Sequence, residues 1–121
     1  MVLTDRELRE QLDRFYRLVS ERVRLVDYVL FGSYARGTPR PWSDVDVAVI
    51  SPDWVGLSRQ ERMTILGRWA WEAEAPWVEP VGYTPEELAS AALNSFVGDI
   101  RDKGISYRPG ETVLPKVSHV R

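Results

Sequence analysis

Along this chain of 121 residues, the spacing of apolar residues alternates between the period of an α-helix and the period of a β-strand. From Leu8 to Val19 the apolar positions recur at spacings of four, three and four residues, which predicts a helix with one buried face. Residues 4–7, Thr-Asp-Arg-Glu, match a capping box and should start that helix, which we expect to end near residues 22–24.

Three further segments have the composition and the alternation of β-strands. Residues 26–31 are rich in β-branched and aromatic side chains, and residues 44–50 place their valines on one face with Asp44 and Asp46 on the other. Residues 77–83 form the third predicted strand. Pro80 lies within it and cannot donate a backbone hydrogen bond, so we expect this strand at a sheet edge or at a locally unpaired position.

Helices are predicted between and after these strands. Residues 33–36 favour a short helix, and a second capping box at residues 58–61 starts a helix that runs to about residue 74. Residues 84–87 start one or two more helices that reach about residue 103, with a break near Asn94 as one arrangement. The inner face of the helix from residue 58 should consist of Met63, Leu66, Ala70 and Ala73.

This alternation of helices and strands predicts an α/β (α+β) protein in which about four helices flank a small mixed β-sheet. A chain of this length fits one compact domain, so we expect a single domain over residues 1–121. Its core should span about residues 4–103, and residues 104–121 should form a C-terminal tail with at most a short strand.

Composition limits the chemistry that the chain can perform. It has no cysteine and a single histidine, His119, which excludes thiolate chemistry and a site built from several histidines. Catalysis must therefore use carboxylates, hydroxyls or a bound metal. The net charge of −2 gives no reason to expect direct nucleic-acid binding, and no apolar run is long enough to cross a membrane. The lack of cysteine fits a reducing compartment, so we expect a cytoplasmic protein.

Asp44 and Asp46 are two residues apart on a predicted strand, so their side chains should share a face about 6.6 Å apart along the strand. Two such carboxylates repel each other, and a divalent cation removes the repulsion. Mg²⁺ prefers oxygen ligands and is commonly shared between carboxylates and substrate phosphates. The alternative is a solvated polar strand face, but the flanking valines mark a buried strand on which acids are unfavourable without a function.

Gly32 and Ser33 follow the first strand directly and begin the short predicted helix. A glycine lets backbone approach a ligand closely, and the free N–H groups of a helix start can hold phosphate oxygens together with the Ser33 hydroxyl. Arg36 and Arg40 lie close by and could neutralise a triphosphate. The alternatives are an ordinary strand-to-helix turn and a solvated basic loop.

Together these pieces form a family pattern. Residues 31–37, Phe-Gly-Ser-Tyr-Ala-Arg-Gly, and residues 43–49, Ser-Asp-Val-Asp-Val-Ala-Val, resemble the signature of the DNA polymerase β-like nucleotidyltransferases. They look most like the small branch called minimal nucleotidyltransferases (MNT). The resemblance implies the nucleotidyltransferase fold and a third carboxylate on a later strand. Glu79 matches that position, although the family's third acid is often Asp and Pro80 follows it directly. The alternative is an exposed acid on an edge strand.

The resemblance also implies a role for each residue. Gly32 and Ser33 would hold the β- and γ-phosphates, with Arg36 nearby. Asp44, Asp46 and Glu79 would bind two Mg²⁺ ions and form the catalytic centre, and ATP would be the substrate.

The biological role implied by the resemblance is that of an antitoxin. Minimal nucleotidyltransferases commonly occur beside a HEPN-family toxin, so the acceptor would be a protein hydroxyl, a tyrosine of that toxin, which receives AMP. Two alternatives stay open: a non-catalytic binding module of the same fold, and a transferase for a small molecule such as an antibiotic. A small open site would also favour a homo- or hetero-oligomer.

The remaining aromatic and basic residues have simpler interpretations. Trp42 and Trp54 lie in predicted loops beside the Asp44 strand, and Trp42 either covers a nucleotide base or contacts a partner. The tryptophans expected in the core are Trp69, Trp71 and Trp77. The arginines expected on a solvated helix face are Arg59, Arg62 and Arg68.

Overall fold

A computed structural model describes residues 1–116 of the chain. In this part the helices are α1 (Asp5–Arg22), α2 (Gly32–Arg36), α3 (Arg59–Glu72), α4 (Pro85–Ser90) and α5 (Phe96–Lys103), with one 3-10 turn at Pro52–Trp54. The strands are β1 (Asp27–Phe31), β2 (Val45–Ile50), β3 (Val78–Tyr83) and β4 (Ile105–Ser106). The predicted α/β class is confirmed, and the segment after residue 84 forms two helices, with Asn94 between them at φ 62°.

The four strands form one mixed sheet in the order β3-β2-β1-β4. β1 runs antiparallel to both β2 and β4, whereas β2 and β3 are parallel. β3 is an edge strand, which confirms the prediction from Pro80. The consequence for the site is that the amino-terminal end of β2 lies between the end of β1 and the beginning of β3.

Three helices begin with capping boxes, two of which were predicted from the sequence at residues 4–7 and 58–61; the third lies at the helix start predicted for residues 84–87. The side chains of Thr4, Ser58 and Thr84 each accept a hydrogen bond from the backbone N–H three residues later, and the glutamate at that position accepts one from the cap N–H. Each box satisfies backbone donors that a helix start would leave unpaired. The short helix α2 ends at Gly37 in the left-handed conformation, as expected from that glycine.

The two faces of the sheet are covered differently. Val45, Val47 and Val49 are fully buried in the larger core, which α1 and α3 complete with residues such as Phe15 and Leu66. Ala48 and Ile50 point the other way into a smaller cluster with Val29, Tyr83 and Ile100 of α5. The predicted alternation along β2 is therefore confirmed.

The inner face predicted for α3 is partly wrong. Met63 is 50% exposed and Ala73 is only partly buried, whereas Leu66 and Ala70 are buried as expected. The helix is rotated so that Arg62, one residue before Met63, points inward together with them.

Arg62 is the clearest correction, because we predicted it on a solvated face and it is only 4% exposed. Its guanidinium donates to both carboxylate oxygens of Glu87, at 2.6 and 3.2 Å, and to the carbonyl oxygens of Leu57 and Gly82. This bidentate pair joins α3, the end of β3 and the start of α4. Every polar group of the buried side chain thereby gains a partner.

Two other expectations need correction. Trp71 is 78% exposed and not in the core. The core also extends past residue 103, because β4 pairs with β1 and both Tyr107 and Leu114 are buried.

His119 lies outside the described residues. Within residues 1–116, none of the helices combines the length and the apolar character that crossing a bilayer requires.

Candidate active site

The predicted acids meet at one end of the sheet because of the strand register. Asp46 is paired with Phe31 of the antiparallel strand β1 on one side and with Glu79 of the parallel strand β3 on the other. Residues directly opposite each other on neighbouring strands present their side chains to the same face. The register thus brings together Asp46, Glu79 and the chain segment that begins at Gly32.

Gly32 follows Phe31 and approaches the Asp46 carboxylate very closely. Its φ of +74° is in the left-handed region, and a Cβ built on it would collide with Asp46 Oδ2. Both the conformation and the lack of space require glycine here. Glycine therefore allows α2 to begin directly beside the acid.

Asp44 lies just before β2 and is exposed. Its position is fixed by the next residue, because the Val45 N–H donates to the Trp77 carbonyl oxygen at 2.8 Å. Ser33 and Arg36 lie on α2, with Ser33 partly buried and Arg36 exposed. Of the six residues predicted for the site, the structure brings together five: Gly32, Arg36, Asp44, Asp46 and Glu79. Ser33 follows Gly32 directly in the chain, and no contact joins its side chain to the acids.

Two of the carboxyl groups, those of Asp46 and Glu79, have raised pKa values. Burial, followed by the charge of Asp44, raises the pKa of Asp46 to about 6, against a smaller opposing effect of Arg36. A hydrogen bond with Asp44, followed by burial and the charges of Asp44 and Asp46, raises the pKa of Glu79 to about 7. Carboxyl groups whose pKa values are raised by burial and by neighbouring acids are a common feature of functional sites.

The chemistry of these donors fits a hard divalent cation. Three carboxyl groups with mutual repulsion provide the oxygen ligands that Mg²⁺ prefers, and a cation would favour their ionised forms. Among the described residues, no group of three or more acidic or histidine side chains is arranged so that it could hold a metal ion. Mg²⁺ in other proteins is commonly held by one or two carboxylates and completes its shell with water and substrate phosphates.

A cavity of about 530 Å³ opens from these acids along the sheet. This volume lies within the range usual for sites that bind small molecules and cofactors. Its polar end includes Gly32, Arg36, Asp46 and Glu79. Its other walls come from the sheet, from α2 and from α5 with the residue that follows it, and consist of Phe31, Ala35, Val81, Phe96, Asp99, Ile100, Lys103 and Gly104.

The wall formed by α5 was not predicted from the sequence. Phe96 packs edge-to-face on Phe31, with ring centroids 5.6 Å apart, and Lys103 lies 3.6 Å from Asp99 one helical turn earlier. The available signal was an ion-pair spacing of four residues on a short amphipathic helix. That spacing is common on helix surfaces and did not indicate that the helix would line the site.

Comparison with known proteins identifies the family of this chain. Residues 8–96 match the family described as the nucleotidyltransferase domain, and the chain therefore belongs to this family. It is accordingly placed in the general class of enzymes that transfer nucleotidyl groups.

A crystal structure of a candidate nucleotidyltransferase from Sulfolobus solfataricus has a similar fold. The TM-score is 0.59 at 18% sequence identity, and the likeness covers 91% of this chain and 86% of that one. At this identity the similarity shows the fold alone. A comparison with proteins of curated function gave no match.

Proposed function

We propose that this chain is a metal-dependent nucleotidyltransferase that transfers AMP from ATP to a hydroxyl group of a protein. The observation that carries the proposal is the meeting of Asp46 with Glu79 and Gly32 at the mouth of a cavity large enough for a nucleotide. Membership of the nucleotidyltransferase domain family supports nucleotidyl transfer in general. ATP, Mg²⁺ and the protein acceptor are parts of the proposal.

In this proposal the cavity holds ATP with its phosphates at the polar end. The start of α2 at Gly32 and Ser33 would face the β- and γ-phosphates, and Arg36 would offset part of their charge. The apolar wall, including Phe31, Phe96 and Val81, would surround the nucleoside. Aromatic and aliphatic walls with few polar groups are usual where a planar base binds.

Asp44, Asp46 and Glu79 would hold Mg²⁺, which when bound supplies positive charge for the phosphate oxygens. The acceptor oxygen forms a bond to the α-phosphorus, and the bond from that phosphorus to the bridging oxygen of the β-phosphate breaks. Pyrophosphate leaves with that electron pair. Glu79, the third acid of the site, would take the hydroxyl proton.

The proposed acceptor is a tyrosine of a HEPN-family toxin, and the chain would then act as its antitoxin. This part rests on the resemblance of residues 31–50 to the minimal nucleotidyltransferases. The test is co-expression with a HEPN protein, purification of that protein and measurement of its intact mass. We expect an increase of one AMP with the wild-type chain.

Controls make that test specific. The variant Asp44→Asn with Asp46→Asn should give no mass increase, whereas Glu86→Gln, which removes an exposed acid of α4, should behave as wild type. Full rescue of cell growth by the double variant would favour a non-catalytic binding module. Absence of modification by the wild-type chain with ATP and Mg²⁺ would contradict the proposed acceptor.

A further inference from the structure

The cavity is lined by a cationic side chain to which the proposed function assigns no role. Lys103 is the last residue of α5 and lines the cavity together with Asp46 and Glu79. Its ammonium group lies 3.6 Å from Asp99 Oδ1, one helical turn earlier, and 71% of its side chain is exposed. An exposed ion pair of this spacing contributes little to stability, so the lysine is not explained by the fold alone.

The end of α5 is fixed at the same end of the sheet as the acids. β4 runs antiparallel to β1, with Ile105 paired to Leu30. Lys103 enters β4 two residues before Ile105, at the edge where the chain leaves β1 towards Gly32. Gly104 fits tightly there, because a Cβ built on it would collide with a side chain of β1. The backbone of Lys103 is thereby held beside the start of α2.

The strand order sets the order of charges along the cavity. In the order β3-β2-β1-β4, Glu79 lies on β3, Asp46 lies on β2, Gly32 follows β1 and Lys103 precedes β4. Neighbouring strands are about 4.8 Å apart, so the backbones of Asp46 and Lys103 are separated by roughly 10 Å. Arg36 lies one turn of α2 after Gly32. The acids therefore lie on the β3–β2 side of the cavity, and the cations lie on the β1–β4 side.

This separation of charge favours one orientation of a bound nucleoside triphosphate. Its α-phosphate belongs at the acids, where a metal ion is shared and the transfer takes place. The β- and γ-phosphates carry further negative charge, which the carboxyl groups repel and the two cations attract. They should therefore extend from Asp46 past Gly32 towards Lys103, since the opposite direction leads past Glu79.

We propose that Lys103 is a further substrate-binding residue, whose ammonium group donates to the terminal phosphate of the nucleoside triphosphate and to the pyrophosphate that leaves. This inference rests on the proposed function, of which it uses the metal-bound triphosphate and not the acceptor. A lysine ammonium has three donors, so Lys103 can keep its contact with Asp99 while it binds phosphate. Asp99 holds the lysine at the cavity, although its charge also repels the phosphates.

The binding test follows the two lysines of the chain, Lys103 and Lys116, of which the described lining of the cavity includes only the first. The full chain is produced with lysine labelled with ¹³C at Cε, and the Lys103 signal is assigned by its loss in Lys103→Gln. The probe is inorganic tripolyphosphate with MgCl₂, titrated to about 5 mM so that weak binding is visible. We expect it to shift the Lys103 signal and to leave the Lys116 signal in place. Adenosine, which has no phosphate, should shift neither.

Three variants complete the design. Lys103→Gln should weaken tripolyphosphate binding about tenfold in calorimetry, because a charge-assisted hydrogen bond is lost. Asp99→Asn should bind tripolyphosphate as tightly as wild type or more tightly, since it removes a repelling charge and keeps the lysine. Arg68→Gln, which removes one positive charge from an exposed position of α3, should bind as wild type. All three should melt close to the wild-type temperature.

Two results would overturn the inference. The first is an unchanged Lys103 signal over the whole titration with tripolyphosphate. The second is equal binding by wild type and Lys103→Gln, which would show that the lysine serves only the end of α5. A similar loss of binding in Arg68→Gln would also contradict it, because the effect would then follow net charge and not the cavity.

The same experiment separates this inference from the proposed function. A shift of the Lys103 signal by tripolyphosphate, with no mass increase of a co-expressed HEPN protein, would support the phosphate contact and contradict the proposed acceptor. A mass increase of one AMP with an unchanged Lys103 signal would contradict the phosphate contact and support the proposed transfer.

Discussion

The two faces of strand β2 differ in what their side chains do. On one face Val45, Val47 and Val49 are completely buried beneath α1 and α3. On the other face Asp46 lines an open cavity next to an acid of the neighbouring strand, Glu79. Because successive side chains of a strand alternate between faces, one short segment can stabilise the fold and build the site at once.

This difference shows which face of β2 stabilises the folded chain and which face reduces its stability. The valine face removes apolar surface from water and contributes to folding. The acid face places mutually repelling carboxyl groups together, and their raised pKa values record that repulsion. Substitutions on the two faces should therefore have opposite consequences, which can be measured separately as activity and as free energy of unfolding.

The largest expected effect is on activity at the acid face. Asp46→Asn removes a proposed Mg²⁺ ligand and should lower AMP transfer by roughly 10³-fold or more, since charge stabilisation is the main contribution that this site can make. The folded structure should persist, because Asp46 makes no contact on which the core depends. Steady-state transfer and circular dichroism check both statements, and near-normal transfer by the folded variant would break the comparison.

A substitution against the face of β2 that carries Val45, Val47 and Val49 should affect stability and leave activity nearly unchanged. Leu66→Ala removes a fully buried side chain that packs against this face and should lower the free energy of unfolding by about 3 kcal/mol. Activity measured well below the melting temperature should change little, because Leu66 does not line the cavity. Urea unfolding gives the stability. A large loss of activity in fully folded protein would show that the two faces are not independent.

Gly32 allows a matched pair of variants. Gly32→Ala and Gly56→Ala both place alanine at positive φ, and each should lose about 1 kcal/mol of stability. Only at position 32 does the new Cβ meet the Asp46 carboxylate, whereas nothing lies within 4 Å at position 56. We therefore expect a roughly 10²-fold loss of transfer for Gly32→Ala alone. Equal activity of the two variants would contradict the close approach.

The smallest expected effect is the pH dependence of stability. The folded-state pKa values of Asp46 and Glu79 are raised, so the folded chain binds more protons than the unfolded chain between about pH 4 and pH 7. Their contribution to stability is therefore present at low pH and lost as the pH rises through 6 to 7. Asp46→Asn cannot ionise at this position, so it should lose less stability than wild type as the pH rises. At pH 8 the free energy of unfolding of the variant should be higher by about 1 kcal/mol, after allowance for solvent screening of a half-exposed group.

Urea unfolding of wild type and Asp46→Asn at several pH values measures that difference. Without metal the variant should be the more stable protein at pH 8, and the two should converge near pH 4. Addition of MgCl₂ should stabilise wild type selectively, because the cation favours the ionised carboxylates. If the free energies of unfolding of the two proteins changed with pH in the same way, the Asp46 carboxylate would not destabilise the folded chain at high pH.

Features encoded within a few residues could be predicted from the sequence. The capping boxes at Thr4, Ser58 and Thr84 act over three residues, and the alternation along β2 follows from strand geometry. Pro80 indicated an edge strand because it lacks a backbone donor. The residues proposed for the site were found for the same reason, since they lie in two short segments and at one edge-strand position.

Features that depend on distant partners could not be predicted. Arg62 looked like a surface arginine, and it is buried because Glu87 and the Gly82 carbonyl, at least 20 residues away, complete its hydrogen bonds. The rotation of α3 that exposes Met63 follows from this pair. The α5 wall of the cavity likewise depends on packing against β1, which no local pattern specifies.

The most direct test of the central claim is calorimetric titration of the chain with ATP in the presence and absence of Mg²⁺. The claim is that Asp44 and Asp46 hold a metal-bound nucleotide at the mouth of the cavity. We predict saturable binding at one site by the wild-type chain that requires Mg²⁺ and is lost in Asp44→Asn with Asp46→Asn. Equal binding by the wild type and the folded double variant would contradict the claim.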